Sequence, residues 1–389
     1  MEINNTIFLK KGKEHSVLRF HPWIFSGAIG TLEKPIESGD WVNVLDSQGN
    51  FLCCGHIQQN SIAVRILSFE KIVPDINFWK KKLSEALSFR KNNQIIVKNL
   101  TNVYRLVNGE GDGLSGLIID IYDKSAVMQA HSEGMHKNRE FIGQALKEVF
   151  NEELISIYYQ YENDKESNGY LLGNSNVPVT VVENGIKFLV NWEEGQKTGF
   201  FIDQRENRNL ISTYAKGRNT LNAFCYTGGF SMYALKAGAS LVHSVDASKN
   251  AIEMVEKNVR LNFSETLNHQ AFSEDVFRFL EKNKNVYDLI VLDPPAFAKH
   301  HSAKHNAMKG YKRLNALAIE NIKKGGIIFT FSCSQVINRE LFENTIVAAS
   351  IISKRKVRVL HHLSQSPDHP ISIFHPEGEY LKGLVLEVE

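Results

Sequence analysis

Four side chains stand where the chemistry of a site would put them. Asp293 follows the apolar run Leu289 to Leu292 and precedes Pro294 and Pro295. A short apolar run without polar alternation is the pattern of a strand covered on both faces, and the prolines end it because neither can donate to a ladder. An acid is thereby held at the carboxyl end of a buried strand, the edge where ligands sit in open parallel α/β sheets. Asp246 ends another strand, LVHSVD, and Asp275 lies in a later loop. Cys333 closes IIFTFSCS, the strand that follows the one ending in Asp293.

Ahead of Asp246, the run TLNAFCY leads into Thr227-Gly228-Gly229. A glycine-rich turn after one strand, with an acid ending the next, is the arrangement that holds an adenosine-type cofactor, the carboxylate taking the ribose hydroxyls. The turn AFCYTGGF lacks G-x-G-x-x-G, and with it the close approach to a pyrophosphate, which disfavours a dinucleotide. A cofactor with a ribose and no phosphate, S-adenosylmethionine, suits the aromatic-rich turn better. Asp275 would then meet the adenine amino group. Gln204, Arg205 and Arg208, on a helix that Asp203 is expected to cap, stand just ahead of the turn. They are candidates for reaching the ligand, with a solvated helix face as the alternative. Gly109, Gly111 and Gly113 imitate a phosphate loop, but Glu110 and Asp112 between them would repel phosphate; a tight turn between strands is expected.

Consecutive strands of a doubly wound sheet are usually neighbours, so Cys333 and Asp293 can face one crevice. A helix beginning near Asn338 brings its positive end toward the thiol and favours the thiolate. A nucleophilic cysteine beside an acid allows covalent catalysis on a pyrimidine: the thiolate adds to C6, C5 takes a methyl group, and loss of the C5 proton expels the cysteine. Cys225, inside the cofactor turn, and the adjacent Cys53 and Cys54 read as small buried residues. Between Asp293 and Glu320 there is no acid, while Lys299, His300, His301, Lys304, His305, Lys309, Lys312 and Arg313 accumulate. Bordering the crevice, such a basic loop could hold a nucleic-acid backbone; a solvated loop is the alternative.

The elements that must position these groups follow from the order of the chain. Its 389 residues exceed one ordinary core, and two or three domains are expected. A net charge of +2 gives little overall pull toward nucleic acid. Four cysteines without metal-ligand spacing fit a reducing cytoplasm, and no signal peptide or membrane-length apolar run is read. From Ile7 to about Glu70, short β-like pieces separated by turns suggest a small barrel; Trp23 and Phe25 could stack on a base or pack inside it. Pro74-Asp75 opens a helix whose Ile76, Trp79, Leu83, Leu87 and Phe89 recur at helical spacing. Val179 to Val190 reads as a hairpin around Glu183-Asn184-Gly185. From Thr220, strands and helices alternate, with a helix near Tyr311 to Lys324, implying a doubly wound parallel sheet.

Taken together, HPWIFSGAI, RLVNGEGDGLSGLIID, GQKTGFFIDQRENR, NAFCYTGGFS, DPPAFAK, FSCS, DHP and EGEYLKGL make the chain resemble, over essentially its whole length, the bacterial cytosine-5 methyltransferases of large-subunit ribosomal RNA that carry a PUA domain. The resemblance implies an α/β protein with a PUA barrel (1–72), a central α/β domain (73–178) and a C-terminal Rossmann-like methyltransferase domain (179–389). It implies Cys333 as nucleophile and Asp293 as the acid at the target base. Phe224, Tyr226, Gly228, Asp246 and Asp275 fall on the cofactor motifs, with Gln204, Arg208, Asp293 and Pro294 beside them. The implied cofactor is S-adenosylmethionine and the partner ribosomal RNA, in the cytoplasm and without a membrane, a homodimer being left open. Two other readings keep the fold: methylation of a guanine nitrogen in ribosomal RNA, which needs no cysteine adduct, and a non-catalytic RNA-binding assembly factor.

Overall fold

The computed structural model describes residues 2–30, 35–195, 197–263, 268–298 and 300–389, with His301 described by its backbone. Gln196 of the GQKTGFF motif and Lys299 of the basic stretch lie outside the described residues. The chain forms two compact units: Met1–Val182 with Val190–Ile202 and Pro367–Gly378, and Glu183–Leu189 with Asp203–Ser366 and Glu379–Glu389.

In the first unit, β1 (Asn5–Phe8), α1 (His15–Leu18), β2 (Trp23–Phe25), β3 (Trp41–Leu45), β4 (Phe51–Ile57) and β5 (Ile62–Ser68) build the expected barrel. Its sheet runs β1-β3-β4-β5-β2, and a bridge from Leu9 to Ile29 joins the two edges. Alternation sends Val42 and Val44 inward with Ile7, Ile24, Val64 and Ile66. Cys53 and Cys54 are both fully buried, and burial pushes the Cys54 thiol up to about 11. Trp23 is half-buried, its Nε1 donating to Glu110 Oε1 at 2.8 Å, while Phe25 is half exposed.

Helix α2 (Ile76–Asn92) is capped by Asp75, whose side chain accepts from the amides of Asn77 and Phe78. It buries Phe78, Trp79, Leu83 and Leu87; Phe89, expected on that face, is instead exposed, because Phe78 and Trp79 set the buried stripe about one residue away. The helix covers a second sheet of order β10-β9-β8-β7-β6. Its strands are β6 (Val103–Asn108), β7 (Leu117–Tyr122), β8 (Ser125–Ala130), β9 (Ser156–Tyr161) and β10 (Gly169–Gly173), with α3 (Glu133–Lys137) and α4 (Arg139–Val149) between β8 and β9. The Gly109–Asp112 segment is a tight 3-10 turn between β6 and β7, as its acids predicted. Those acids serve structure: Glu110 accepts from Arg65 at 3.0 Å, and Asp112 takes both ends of the buried Arg90 guanidinium. Arg90 Nη2 also donates to the Asp368 carbonyl at 2.8 Å, and Asp368 Oδ2 accepts from the Arg105 amide at 3.0 Å, which seats the Asp368-His369-Pro370 motif in this unit.

A hairpin, β11 (Val179–Glu183) and β12 (Ile186–Val190), turns at Asn184 and Gly185, both left-handed with φ of 50° and 70°. Beyond it, α5 (Arg205–Ala215), β13 (Asn219–Ala223), α6 (Gly229–Lys236), β14 (Leu241–Asp246), α7 (Lys249–Asn262), β15 (His269–Ser273), α8 (Val276–Lys282), β16 (Leu289–Leu292), α9 (Lys304–Asn321), β17 (Gly326–Ser332), α10 (Arg339–Ser353), β18 (Val357–Leu363) and β19 (Lys382–Val388) follow. The sheet order is β15-β14-β13-β16-β17-β19-β18. The first five strands in that order are parallel, as expected; β19 pairs antiparallel with both β17 and β18. Leu289 to Leu292 are all fully buried, the double coverage their composition required. Among the described residues no helix is long and apolar enough to cross a membrane.

Two local expectations fail. The basic stretch is not a loop from Lys304 onward: α9 starts there, because Ala307, Tyr311, Leu314 and Ala318 bury one helical stripe and the cations between them line the other side. Asp203 does not cap α5. It lies within the 3-10 turn Ile202–Gln204, and its Oδ2 accepts from the Tyr380 hydroxyl at 2.7 Å.

Candidate active site

The carboxyl edge of the parallel strands gathers most of the chemistry. In the register, Ala223 stands beside Val245 on one side and Leu292 on the other, and Leu292 stands beside Thr330. Phe224, Asp246, Asp293 and Cys333 therefore emerge from neighbouring strand ends, at the point where strand order reverses around β13.

The turn after β13 is wound tightly. Phe224, Tyr226 and Gly228 all have left-handed backbone, at φ of 59°, 47° and 86°. A Cβ on Gly228 would meet both methyls of Val255 at 3.2 Å, so backbone conformation and space both call for glycine. The coil is held by the Cys225 amide on Val245 O (3.0 Å), the Gly228 amide on Cys225 O (2.8 Å) and Asn258 Nδ2 on Thr227 O (2.9 Å). The Asp246 carboxylate locks onto it: Oδ2 accepts from the Tyr226 amide at 3.0 Å and Oδ1 from the Ser248 amide at 2.9 Å. Each oxygen keeps a further lone pair for a hydroxyl. Cys225, inside the turn, is buried as its sequence reading expected, its thiol pushed well up by burial and by Asp246.

The remaining cofactor candidates sit differently. Asp275 is exposed just past β15 and caps α8, its Oδ1 accepting from the Arg278 amide at 3.0 Å. Gln204 and Arg208 are buried, not on a solvated helix face. Gln204 Oε1 accepts from Asn207 Nδ2 at 2.7 Å. Arg208 forms a bidentate pair with Glu183, Nε to Oε1 at 2.8 Å and Nη2 to Oε2 at 2.6 Å, and the Tyr233 hydroxyl donates to the same Oε1 at 3.0 Å. A Cβ on Gly229 would come 2.9 Å from Arg208 Cδ, so the arginine stem packs under the first turn of α6. Glu183 escaped the sequence reading, although an acid in phase with the buried Val181 on an alternating strand was its signal.

On the other side of β13, Pro294 is buried and Asp293 and Cys333 are half-buried. Cys333 Sγ lies 3.9 Å from Pro294 O, and Ser334 Oγ donates to Ala298 O at 2.6 Å, tying the FSCS segment to the DPPAFA segment. Helix α10 begins after Asn338, whose side chain accepts from the Leu341 amide at 2.9 Å. Tyr311, fully buried on α9 and read in the sequence only as the start of a helix, is pushed up to about 12 by burial, with the charges of Cys333 and Asp293 acting in the same direction. A tightly coiled turn, a carboxylate with lone pairs able to accept from hydroxyls and a half-buried thiol thus share one edge of the sheet at neighbouring strand ends.

The chain matches the family model of S-adenosylmethionine-dependent methyltransferases over residues 149–371, and that of PUA-like domains over residues 7–69. It is 40% identical to the ribosomal RNA large subunit methyltransferase I of Aeromonas salmonicida over 393 residues, covering 98% of each chain. The same-named protein of Aeromonas hydrophila is 40% identical over 395 residues, again covering 98% of each. Among solved structures, a provisionally assigned SAM-dependent methyltransferase from Streptococcus mutans superposes with a TM-score of 0.85 at 23% identity, over 98% of this chain and 100% of that one, a likeness of fold.

Proposed function

The chain belongs to the S-adenosylmethionine-dependent methyltransferase family, and from that premise we propose that it methylates C5 of a cytosine in large-subunit ribosomal RNA through a covalent adduct on Cys333. The observation that carries the reading is the placement of the Cys333 thiol beside the Asp293-Pro294 segment, 3.9 Å from Pro294 O, at adjacent strand ends. The substrate class is supported by the names of the relatives and by the PUA-like match. We assign the RNA grip to the barrel, residues 1–72, and the chemistry to residues 179–389, with the central α/β domain, residues 73–178, between them in the chain.

S-adenosylmethionine supplies an electrophilic methyl group on a sulfonium. Phe224, Tyr226 and Gly228 would cradle it, Asp246 would accept from its ribose hydroxyls and Asp275 would face the adenine. Gln204 and Arg208 would support the turn from below. Asp293 and Pro294 would border the methyl group, where Asp293 also holds the cytosine edge. The Cys333 thiolate adds to C6 and makes C5 nucleophilic; once C5 carries the methyl group, loss of its proton re-forms the C5–C6 double bond and expels the thiolate.

Mass analysis of nucleosides decides the reading. Large-subunit ribosomal RNA lacking this modification, incubated with the protein and S-adenosylmethionine, should gain 5-methylcytidine. A methylated guanosine in its place, or no methylated nucleoside at all, overturns the assignment.

A further inference from the structure

We propose that Lys382 is the positioning residue for Cys333, its buried ammonium fixing the backbone that carries the thiol and favouring the thiolate. The inference deepens the reading of Cys333 as nucleophile and rests on it.

Lys382 stands opposite Ser332 in the antiparallel ladder of β17 and β19, one residue before Cys333. Its Nζ donates to Ser334 O, one residue after Cys333, at 2.7 Å, and to Tyr380 O at 2.8 Å. The lysine therefore brackets the cysteine from both sides. It is only 2% exposed, and both hydrogen-bond partners are neutral carbonyls, an arrangement that forgoes much of the solvation of a cation. An ammonium has three protons to donate, and these carbonyls take two.

The charges around the pair explain why a cation belongs there. Burial lowers the Lys382 ammonium to about 8; Glu379 and Cys333 act to raise it and Arg339 to lower it, so at neutral pH the positive form prevails. Cys333 shares its surroundings with Tyr311, which also feels Asp293. Tyr311 stays neutral at such pH. Asp293, as a carboxylate, opposes a second negative charge on the neighbouring thiol. Lys382 is a cation whose charge acts on Cys333 against that of Asp293; Arg339, close enough to lower the Lys382 ammonium, carries the same sign, and the start of α10 adds in the same direction. Because β19 enters the sheet antiparallel beside β17, this cation comes to the residues on either side of the cysteine from a stretch of chain 49 positions later (382 − 333).

The test reads the thiol of the free protein, without RNA or cofactor. Alkylation of Cys333 by iodoacetamide is followed by peptide mass from pH 6 to 10 in wild type, Lys382→Gln and Lys382→Arg. Glutamine keeps an N–H donor but no charge. The expected result is a midpoint for Lys382→Gln raised by about one pH unit and a rate at pH 7 about tenfold lower, with Lys382→Arg returning toward wild type. Superimposed profiles, or equal displacement of both variants, overturn the proposal. Where a variant fails to fold, wild type serves: coupling is reciprocal, so capping Cys333 with the neutral methylthio group should lower the Lys382 midpoint seen by NMR of 13Cε-labelled lysine, and an unchanged midpoint overturns the proposal. A failed cytosine assignment would instead show in the nucleoside analysis and leave these titrations as they are.

Discussion

The sulfur of Cys333 lies 3.9 Å from the carbonyl oxygen of Pro294. That contact joins the ends of β16 and β17, which run parallel with Leu292 beside Thr330, and it sets the thiol against the segment that opens with Asp293, at the edge of the sheet. Replacement of Cys333 by alanine removes the one atom able to form the proposed adduct and leaves the turn on the other side of β13 intact. Turnover should fall by at least about a thousandfold while calorimetric affinity for S-adenosylmethionine changes less than about twofold. A variant that keeps near-normal turnover would sink the covalent route and leave the family assignment standing.

Asp246 accepts from the amides of Tyr226 and Ser248, one on each carboxylate oxygen, and is proposed to accept from the cofactor ribose as well. Asp246→Ala removes the acceptor of both these hydrogen bonds and, with it, the proposed partner of the ribose. Affinity for S-adenosylmethionine should drop by about 1–3 kcal/mol, roughly tenfold to a hundredfold, with a smaller loss for Asp246→Asn, which keeps one carbonyl acceptor. Titration calorimetry checks this directly; equal affinity in wild type and Asp246→Ala would remove Asp246 from the cofactor site.

These two residues were legible because each ends a short apolar strand, and strand ends announce themselves through composition and a terminating acid, proline or serine. Asp293, Asp246 and Cys333 needed only the succession of elements to be placed on one edge. Lys382 was not legible in that way. From β17 the chain runs through α10 to β18 before returning as β19, which inserts between β17 and β18, so proximity to Cys333 depends on a strand order that succession does not dictate. Glu183 and Arg208 each had a visible position, on a hairpin and on a helix, but their pairing is tertiary. The start of α9 was hidden by its lysines and histidines, which mask a stripe made of one small residue, Ala307, and one tyrosine, Tyr311. The cap at Asp203 failed because a 3-10 turn leads into α5, shifting the helix start past it.

The Arg208–Glu183 pair carries a stability prediction. Both groups are buried; the arginine is destabilised as a cation by burial, yet the Glu183 carboxylate outweighs this and holds its pKa above the ordinary value. Removing one partner strands a charge. Arg208→Met should lower unfolding free energy by about 3–5 kcal/mol in denaturant titration, and the double variant Arg208→Met, Glu183→Gln should recover part of that loss because no lone buried charge remains. A double variant as unstable as the sum of the single changes would argue against the pair acting as a unit.

His56 gives the barrel an acid sensitivity with a definite sign. Its ring is fully buried against Trp41, with centroids 4.3 Å apart, and Nδ1 has no hydrogen-bond partner among the described residues. Burial, with Lys137 as the second cause, lowers it to about 3. Above about pH 6.5 the imidazole is neutral whether the chain is folded or not, and its contribution is complete. Below that pH the unfolded chain takes up a proton that the folded chain refuses, so stability declines as pH falls from about 6.5 toward 3, by about 1.4 kcal/mol per pH unit. At pH 5 the loss is about 2 kcal/mol. His56→Gln keeps an acceptor for Asn138 Nδ2, which lies 3.3 Å from Nε2, and does not titrate. Denaturant titrations at pH 7.5, 6 and 5 should therefore show a shallower decline for His56→Gln than for wild type, the difference between the two cancelling the contributions of the other titrating groups. Parallel declines would show that His56 takes its proton in the folded state.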